Sequence, residues 1–513
     1  MKKMWAIPVL AAAICLGATA CDSSTDGSVN QDGANVFPAS SVEDTISVAM
    51  GDVMPFYDNG VMNIYHLQDS GSSPFYHPIS RLTTTDFIHY TDEGVAIDYA
   101  KGQDAIKSHD AALGTGSFIK DNNGLYHCFY TGHAASTEDV EPDILEVVRH
   151  ATSTDQKNWV KEEDYKLVGN SEKRWLNNDF RDPYVYYDSY DECYYMLVTT
   201  RDEVDGTETG VIKYYSATTL DASADDWEYK GIFYNNPEGT YNMECPSIVE
   251  WNGYFYLAFS EQGDNRVTHY LYKDSHDGEW KKFERDSIDA GGFYAGRLEK
   301  AGNKLFAFAW CARLSGGVAG GFDWGGNLVT HELVQKEDGE LCAVIPENYK
   351  DFFSHEIEYK TVKGEKVSGF EFDGEKFSAH GTEKLSQNVT RMSLTIQANG
   401  DKGDFGLSFG LDGEYNNRLG SAIIAFELEK GRITCYNGVS SILRYGAPLT
   451  SVAFDFEKDK SYSADVIIDG EVLTVYLNSE VALTARITDM KGANLAFYSN
   501  GAKAKIQDIK FYE

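Results

Sequence analysis

Trp175-Leu-Asn-Asn-Asp-Phe-Arg-Asp-Pro183, running on into Val185-Tyr-Tyr187, is the stretch on which the reading of the fold turns. Pro183 has no N–H to give to a ladder, so it suits the mouth of a strand rather than its middle. Asp182 therefore stands at the entrance of an apolar, aromatic strand, with Arg181 beside it as a charge partner. An isolated Asp-Pro step is an ordinary turn signal, but here the layout recurs.

Five units repeat the pattern of apolar strand, Asn/Asp/Gly turn and aromatic strand: 54–68, 117–131, 184–200, 247–260 and 297–311. Asn59-Gly60, Asn123-Gly124, Asn252-Gly253 and the Gly302-Asn303 pair mark the turns, as hairpins require. The spacing of the units leaves room for a four-stranded sheet in each, and such radial repetition predicts a five-bladed β-propeller. Acids precede three of the first strands: Asp52 in Gly-Asp-Val-Met-Pro55, Asp182 in Arg-Asp-Pro183 and Glu244 in Met-Glu-Cys-Pro246. Thr115-Gly-Ser117 and Phe293-Tyr-Ala295 occupy the place in the other two units. Matched positions of different blades face one end of a channel, so the three carboxylates are expected around one funnel. Clustered acids repel and cost stability unless they serve a purpose.

The rest of the chain fits this frame. It has 513 residues, with 80 acidic against 45 basic and a net charge of −35. That balance argues against nucleic acid and anionic lipid as partners and is compatible with a neutral substrate. Residues 1–20 read as a signal peptide, with a basic start and a short apolar run ending Ala18-Thr-Ala-Cys21. The small residues before Cys21 resemble a bacterial lipobox, implying lipidation of Cys21, a membrane anchor and a cell-envelope location. An ordinary secretory signal is the alternative. Residues 21–45 form a polar tether, 46–346 carry the five units, and 351–513 show alternating strands without the repeat, predicting a β-sandwich. That second domain is expected to pack beside the first, with glycan binding as its other possible role. Of the eight cysteines, none forms a Cys-x-x-Cys pair, so no zinc site is predicted, and Cys128, Cys193, Cys245, Cys311, Cys342 and Cys435 are expected as free thiols. His77 is a candidate for the pocket wall, with a packing role as the alternative.

Asn178-Asp-Phe-Arg-Asp-Pro183, Met243-Glu-Cys-Pro246 and Phe293-Tyr-Ala295 resemble the signatures of glycoside hydrolase family 32, the β-fructosidases. Gly116-Ser117, Lys304–Trp310 and Trp324 with His331-Glu-Leu333 are weaker similarities in the same order. The resemblance implies a retaining hydrolase of a neutral oligo- or polysaccharide that uses no metal or cofactor. It makes Asp52 the nucleophile, Glu244 the acid/base with its carboxyl protonated at rest, and Asp182 an ionised transition-state stabiliser. It implies substrate-binding roles for Arg181, Ser117, Tyr294, Trp310 and Trp324, and it also implies the C-terminal sandwich. Related propellers cleaving arabinose- and xylose-containing glycans share the three-acid layout, and a glycan-binding lipoprotein without turnover is a third reading. The family's nucleophile motif, Trp-Met-Asn-Asp-Pro-Asn-Gly, is altered here to Met50-Gly-Asp-Val-Met-Pro-Phe-Tyr-Asp-Asn-Gly60. Asp58 therefore competes with Asp52. Register chooses Asp52, which precedes Gly60 by 8 residues as Glu244 precedes Gly253 by 9, and puts Asp58 on the turn at the far end of the strand.

Overall fold

A computed structural model describes residues 33–39, 49–69, 77–102, 105–263, 266–314, 322–411, 419–439, 445–487, 490 and 492–513. The signal peptide, Cys21 and the tether to residue 45 lie outside them, as does the expected start of the repeat at Ile46. The described chain from Gln31 onward is one compact unit, and it is all-β apart from short helical turns and the helix Glu347–Phe352.

Five antiparallel meanders follow one another. The first runs through Ala49–Asp58, Val61–Asp69, Ile79–Thr84 and Thr91–Ile97. The second has Ala112–Lys120, Tyr126–His133, Glu146–Ser153 and Val160–Lys161. The third has Phe180–Asp188, Cys193–Val204, Thr207–Ala217 and Glu228–Asn235. The fourth keeps three strands, Asn242–Trp251, Tyr254–Gln262 and Thr268–Lys273. The fifth has Tyr294–Ala301, Lys304–Leu314, Phe322–Gln335 and Leu341–Val344. A single bridge, Met50 to Gly326, joins the fifth meander to the first.

The turns follow from their residues. Asn59 and Gly60 both take positive φ, 51° and 85°, as do Asn252 and Gly253 at 46° and 84°. Two successive positive φ values twist a two-residue turn to match its strands. Seams between meanders are tied by buried hydroxyls. Ser117 Oγ accepts the Val185 N–H at 2.9 Å and Ser247 Oγ accepts the Leu298 N–H at 3.1 Å.

The acids do not precede the first strands, as the sequence suggested, but lie inside them at β-bulges. Pairing shifts between Gly51 and Val53, Gly114 and Gly116, Glu244 and Ser247, and Tyr294 and Arg297. In the third meander it shifts between Leu197 and Thr199, opposite Asp182-Pro183. Asp52, Asp182, Cys245 and Ala295 take positive φ there, 24°, 57°, 55° and 55°. This corrects the register. Arg181 pairs with Thr199 just before its bulge, as Glu244 pairs with Ser260 and Tyr294 with Trp310. Glu244 is thus the equivalent of Arg181, and Cys245 that of Asp182.

Beyond the helix, one sheet contains Thr390–Ala398, Ser461–Asp469, Val472–Leu477, Val481–Arg486 and Lys503–Tyr512. A second contains Asp404–Leu411, Ala422–Glu427, Arg432–Asn437 and Asn494–Asn500. Thr390–Ala398 alternates buried and half-buried positions, as a strand with one face in a core must. Met392, Ile396 and Val466 from the first sheet meet Phe405, Phe426 and Phe497 from the second in one core. This pair of sheets docks on the fifth meander through buried polar groups. Asp289 accepts from His331 Nε2 at 2.8 Å and from the Thr484 N–H at 2.8 Å. Arg486 Nε donates to the Ala312 carbonyl at 2.8 Å. The six cysteines beyond Cys21 are free, and all but the half-buried Cys193 are buried.

Candidate active site

Bulges aim side chains out of the ladder; here two of them carry Asp52 and Asp182, and Glu244 stands one residue ahead of a third. Asp52 Oδ2 accepts from the Thr115 hydroxyl at 2.8 Å, and its Oδ1 accepts from Trp310 Nε1 at 3.0 Å. One carboxylate of the first meander is thus held by the second and the fifth. Asp182 is buried, its N–H donating to Thr131 Oγ1 and its Oδ2 accepting the Cys245 N–H, each at 2.9 Å. Glu244 accepts from Arg181 Nη2 at 3.0 Å and from the Tyr294 hydroxyl at 2.6 Å. Non-glycine residues in the left-handed region cost on the order of 1–3 kcal/mol each and gather at functional sites.

Electrostatics bind the three acids into one unit. Burial pushes the Asp182 carboxyl up to about 7, and the charges of Glu244 and Asp52 add to it, against the opposing pull of Arg181 and the Cys245 N–H. An ionised Asp182 was the expectation. Its enclosure moves the carboxyl toward neutral pH, with the Arg181 charge still favouring the ionised form. Arg181 is not the hydrogen-bonded partner of Asp182. Its guanidinium spans Glu244, Glu146 and Asp179, at 3.0, 3.2 and 3.0 Å. Burial pushes Glu146 upward, but Arg181 and His133 outweigh it and hold that carboxyl below its ordinary range. Burial, Glu244 and the neighbouring thiol of Cys245 raise the Tyr294 phenol far above its usual value, so it stays a donor.

The other sequence candidates separate. Trp310 is fully buried and meets Tyr294 edge-on at 5.4 Å. Trp324 stacks on His77 at 4.4 Å, and its ring fills the space over Gly51, where a Cβ would lie 2.1 Å from it. His77 and Trp324 therefore stand as a pair beside the Asp52 bulge. Ser117 is withdrawn from the substrate-binding set, because it is buried and its oxygen is used by Val185. Asp58 lies at the turn with Lys120 and the Tyr126 hydroxyl, 3.2 and 2.8 Å away, and takes no part in the cluster. Three further residues belong to the site without being among the sequence candidates. Thr115 was legible from its place in the repeat. Glu146 and Arg266 left no local signal, and the Arg266 guanidinium lies 4.4 Å above the Tyr294 ring and 5.6 Å from Trp310.

Residues 56–324 match the N-terminal domain of the glycosyl hydrolases family 32. The chain belongs to glycosyl hydrolase family 32. A sucrose-6-phosphate hydrolase of Vibrio alginolyticus is 28% identical over 205 residues, and the match spans 40% of this chain and 37% of that enzyme. A levanbiose-producing levanase of Geobacillus stearothermophilus is 24% identical over 56% of this chain and 74% of its own. Among solved structures, the family 32 β-fructofuranosidase of Bombyx mori superposes with a TM-score of 0.68 at 16% identity, over 94% of this chain and 95% of that one. The sucrose-6-phosphate hydrolase of Lactobacillus gasseri gives 0.67 at 18%, over 91% of each. At these identities the superpositions establish the fold of this family-32 member.

Proposed function

We propose that this family-32 chain is a retaining glycoside hydrolase of fructans or fructosyl oligosaccharides. The observation that carries the reading is the set of three carboxyls, Asp52, Asp182 and Glu244, brought together by bulges on three separate meanders. Asp52, held by Thr115 and Trp310, attacks the anomeric carbon as the glycosidic C–O bond breaks. The leaving oxygen takes a proton from Glu244. Glu244 then removes a proton from water, which releases the sugar from Asp52 with retained configuration, as a double displacement requires. Asp182 accepts from sugar hydroxyls and steadies the positive charge that develops at the anomeric carbon. Arg181 and Tyr294 orient Glu244, and Trp324 with His77 forms a flat wall for a sugar ring. Asp182, pushed up to about 7 by its burial and by the two neighbouring acids, is the member of the set that changes charge near neutral pH.

In this reading the five meanders are the blades of a five-bladed β-propeller covering 46–346, and 351–513 form the β-sandwich domain. The chain is exported and anchored to the cell envelope through lipidated Cys21. The altered stretch Met50-Gly-Asp-Val-Met-Pro55 favours one second reading, a hydrolase of arabinose- or xylose-containing glycans in the same site; a glycan-binding lipoprotein without turnover is the remaining one.

Assay of the purified protein on sucrose, levan, inulin, arabinan and xylan tests this. Release of fructose from one of the first three is expected. Glu244→Gln lowers turnover on these poor leaving groups by about 10²–10⁴-fold; on an activated substrate whose leaving group needs no proton, azide speeds Glu244→Ala by attacking the intermediate and yields a glycosyl azide of retained configuration. Asp52→Asn abolishes turnover. Cleavage of arabinan or xylan alone moves the assignment to the second reading, binding without cleavage to the third. A folded Asp52→Asn protein with full turnover removes Asp52 as nucleophile.

A further inference from the structure

A second feature lies away from the acids. Six aromatic rings follow one another across the face of the third meander: Tyr184, Tyr186, Tyr195, Tyr214, Phe233 and, from the loop after the fourth, Trp280. Their consecutive centroids are 6.4, 5.8, 5.6, 5.3 and 5.9 Å apart. Each ring comes from the next strand outward after the first pair, so the row crosses the sheet from its inner strand to its rim. All six rings are only partly buried, and they line a cavity of about 1220 Å³. Protein interiors hold few voids larger than a water molecule, so a cavity of this size is an open groove rather than a packing defect.

The polar groups of the groove point to its occupant. Glu250, Glu279 and Asn235 line it beside the rings. At the inner end, burial pushes the Glu299 carboxyl up to about 8, so at neutral pH it both donates and accepts. Spaced ring faces pack against the C–H faces of sugars, and carboxylates accept from their hydroxyls. A net charge of −35 disfavours a polyanionic chain. Asp188, Glu250 and Lys300, at the turn ends of the inner strands, also line the groove, so it opens at the ends opposite the bulges.

We propose that this groove is a second carbohydrate site, taking an extended neutral glycan along the six rings, distinct from the site that holds Asp52, Asp182 and Glu244. Ring spacing close to the advance of one sugar residue suits several units in a row. A long substrate held here stays on the protein between cleavages, whereas a disaccharide gains nothing from it. The inference rests on the hydrolase reading only for the class of its ligand.

Native affinity electrophoresis at low temperature in gels containing levan, inulin, arabinan or xylan tests it, with Asp52→Asn as the parent so that turnover does not consume the gel. Phe233→Ala/Trp280→Ala is expected to reduce retention by at least about tenfold. In the otherwise wild-type chain the same pair is expected to leave kcat/KM on sucrose within about twofold. Hydroxyl-radical footprinting of the parent with the retained polysaccharide needs no folded variant, and protection of Tyr195 and Trp280 is expected. Unchanged retention of a folded variant, retention and sucrose cleavage lost together, absence of protection, or a parent retained by none of the four polymers overturns the proposal. A wild-type chain that cleaves no fructoside but is retained through the rings sinks the fructosidase reading and leaves this one standing.

Discussion

Asp182 shows how enclosure decides chemistry at a single residue. Its carboxyl titrates near 7 in the folded chain against an ordinary 3.8, so the folded state holds this proton more tightly than the unfolded one. The stability from that proton is fully present below about 3.8 and is lost as pH rises through about 7. Asp182→Asn is therefore expected to raise the melting temperature over wild type at pH 8, with the gain vanishing near pH 4; scanning calorimetry across that range checks it. The same variant is expected to slow cleavage of every substrate alike and to remove the ionisation near pH 7 from the profile of kcat/KM. Trp310 acts through one bond, its Nε1–H to Asp52 at 3.0 Å. Trp310→Phe leaves that buried oxygen short of a donor, a loss of about 1–3 kcal/mol. It should appear as a drop of about 10- to 100-fold in kcat/KM, with sucrose cleavage as the readout.

At the scale of the element, the bulged inner strand is the working part. One extra residue turns a side chain out of the ladder, and each of the five inner strands carries such a shift in pairing. The register explains why Arg181 holds Glu244: the two occupy equivalent steps on neighbouring meanders, one residue ahead of their bulges. Gly51 precedes the first bulge, and a Cβ there would meet the Trp324 ring at 2.1 Å. Gly51→Ala must push that ring aside, since overpacking of this kind typically costs about 1–3 kcal/mol. We expect a lower denaturation midpoint and a raised KM, because the displaced ring belongs to the proposed sugar wall. A KM unchanged from wild type removes Trp324 from that wall.

Across the whole molecule, the sandwich sheets brace the meander that carries Trp310. Asp289 is fully buried and accepts from His331 and from both the N–H and the hydroxyl of Thr484. Arg486 reaches the carbonyls of Cys311 and Ala312, next along the strand from Trp310. Asp289→Ala strands several buried donors and is expected to cost about 3–5 kcal/mol, read from urea unfolding followed by tryptophan fluorescence. A loss below about 1 kcal/mol would mean that this contact does not hold the two parts together. The proposed anchor also belongs to this scale: Cys21→Ala should release the protein from the membrane fraction, and unchanged partitioning counts against lipidation.

What the amino-acid sequence determined by itself is local and periodic. Asn-Gly pairs specify positive-φ turns, alternation specifies strands, and Arg-Asp-Pro and Glu-Cys-Pro recur at the same step of the repeat, so the all-β class, the meanders and the place of Asp58 at the far turn were legible. What only the tertiary structure decided depends on neighbours far apart in the chain. That the Arg181 guanidinium hydrogen-bonds Glu244 while acting on Asp182 through charge alone, that Asp182 is the carboxyl raised by enclosure, and that Ser117 belongs to a seam all follow from which meander stands beside which. Glu146 and Arg266 entered the site for the same reason. The six-ring groove is also of this kind, since no window of sequence places Tyr184 and Trp280 at the two ends of one row. Turn chemistry and strand alternation act over a few residues, whereas desolvation and charge pairing act through space, and a one-residue bulge is enough to change which side chains meet.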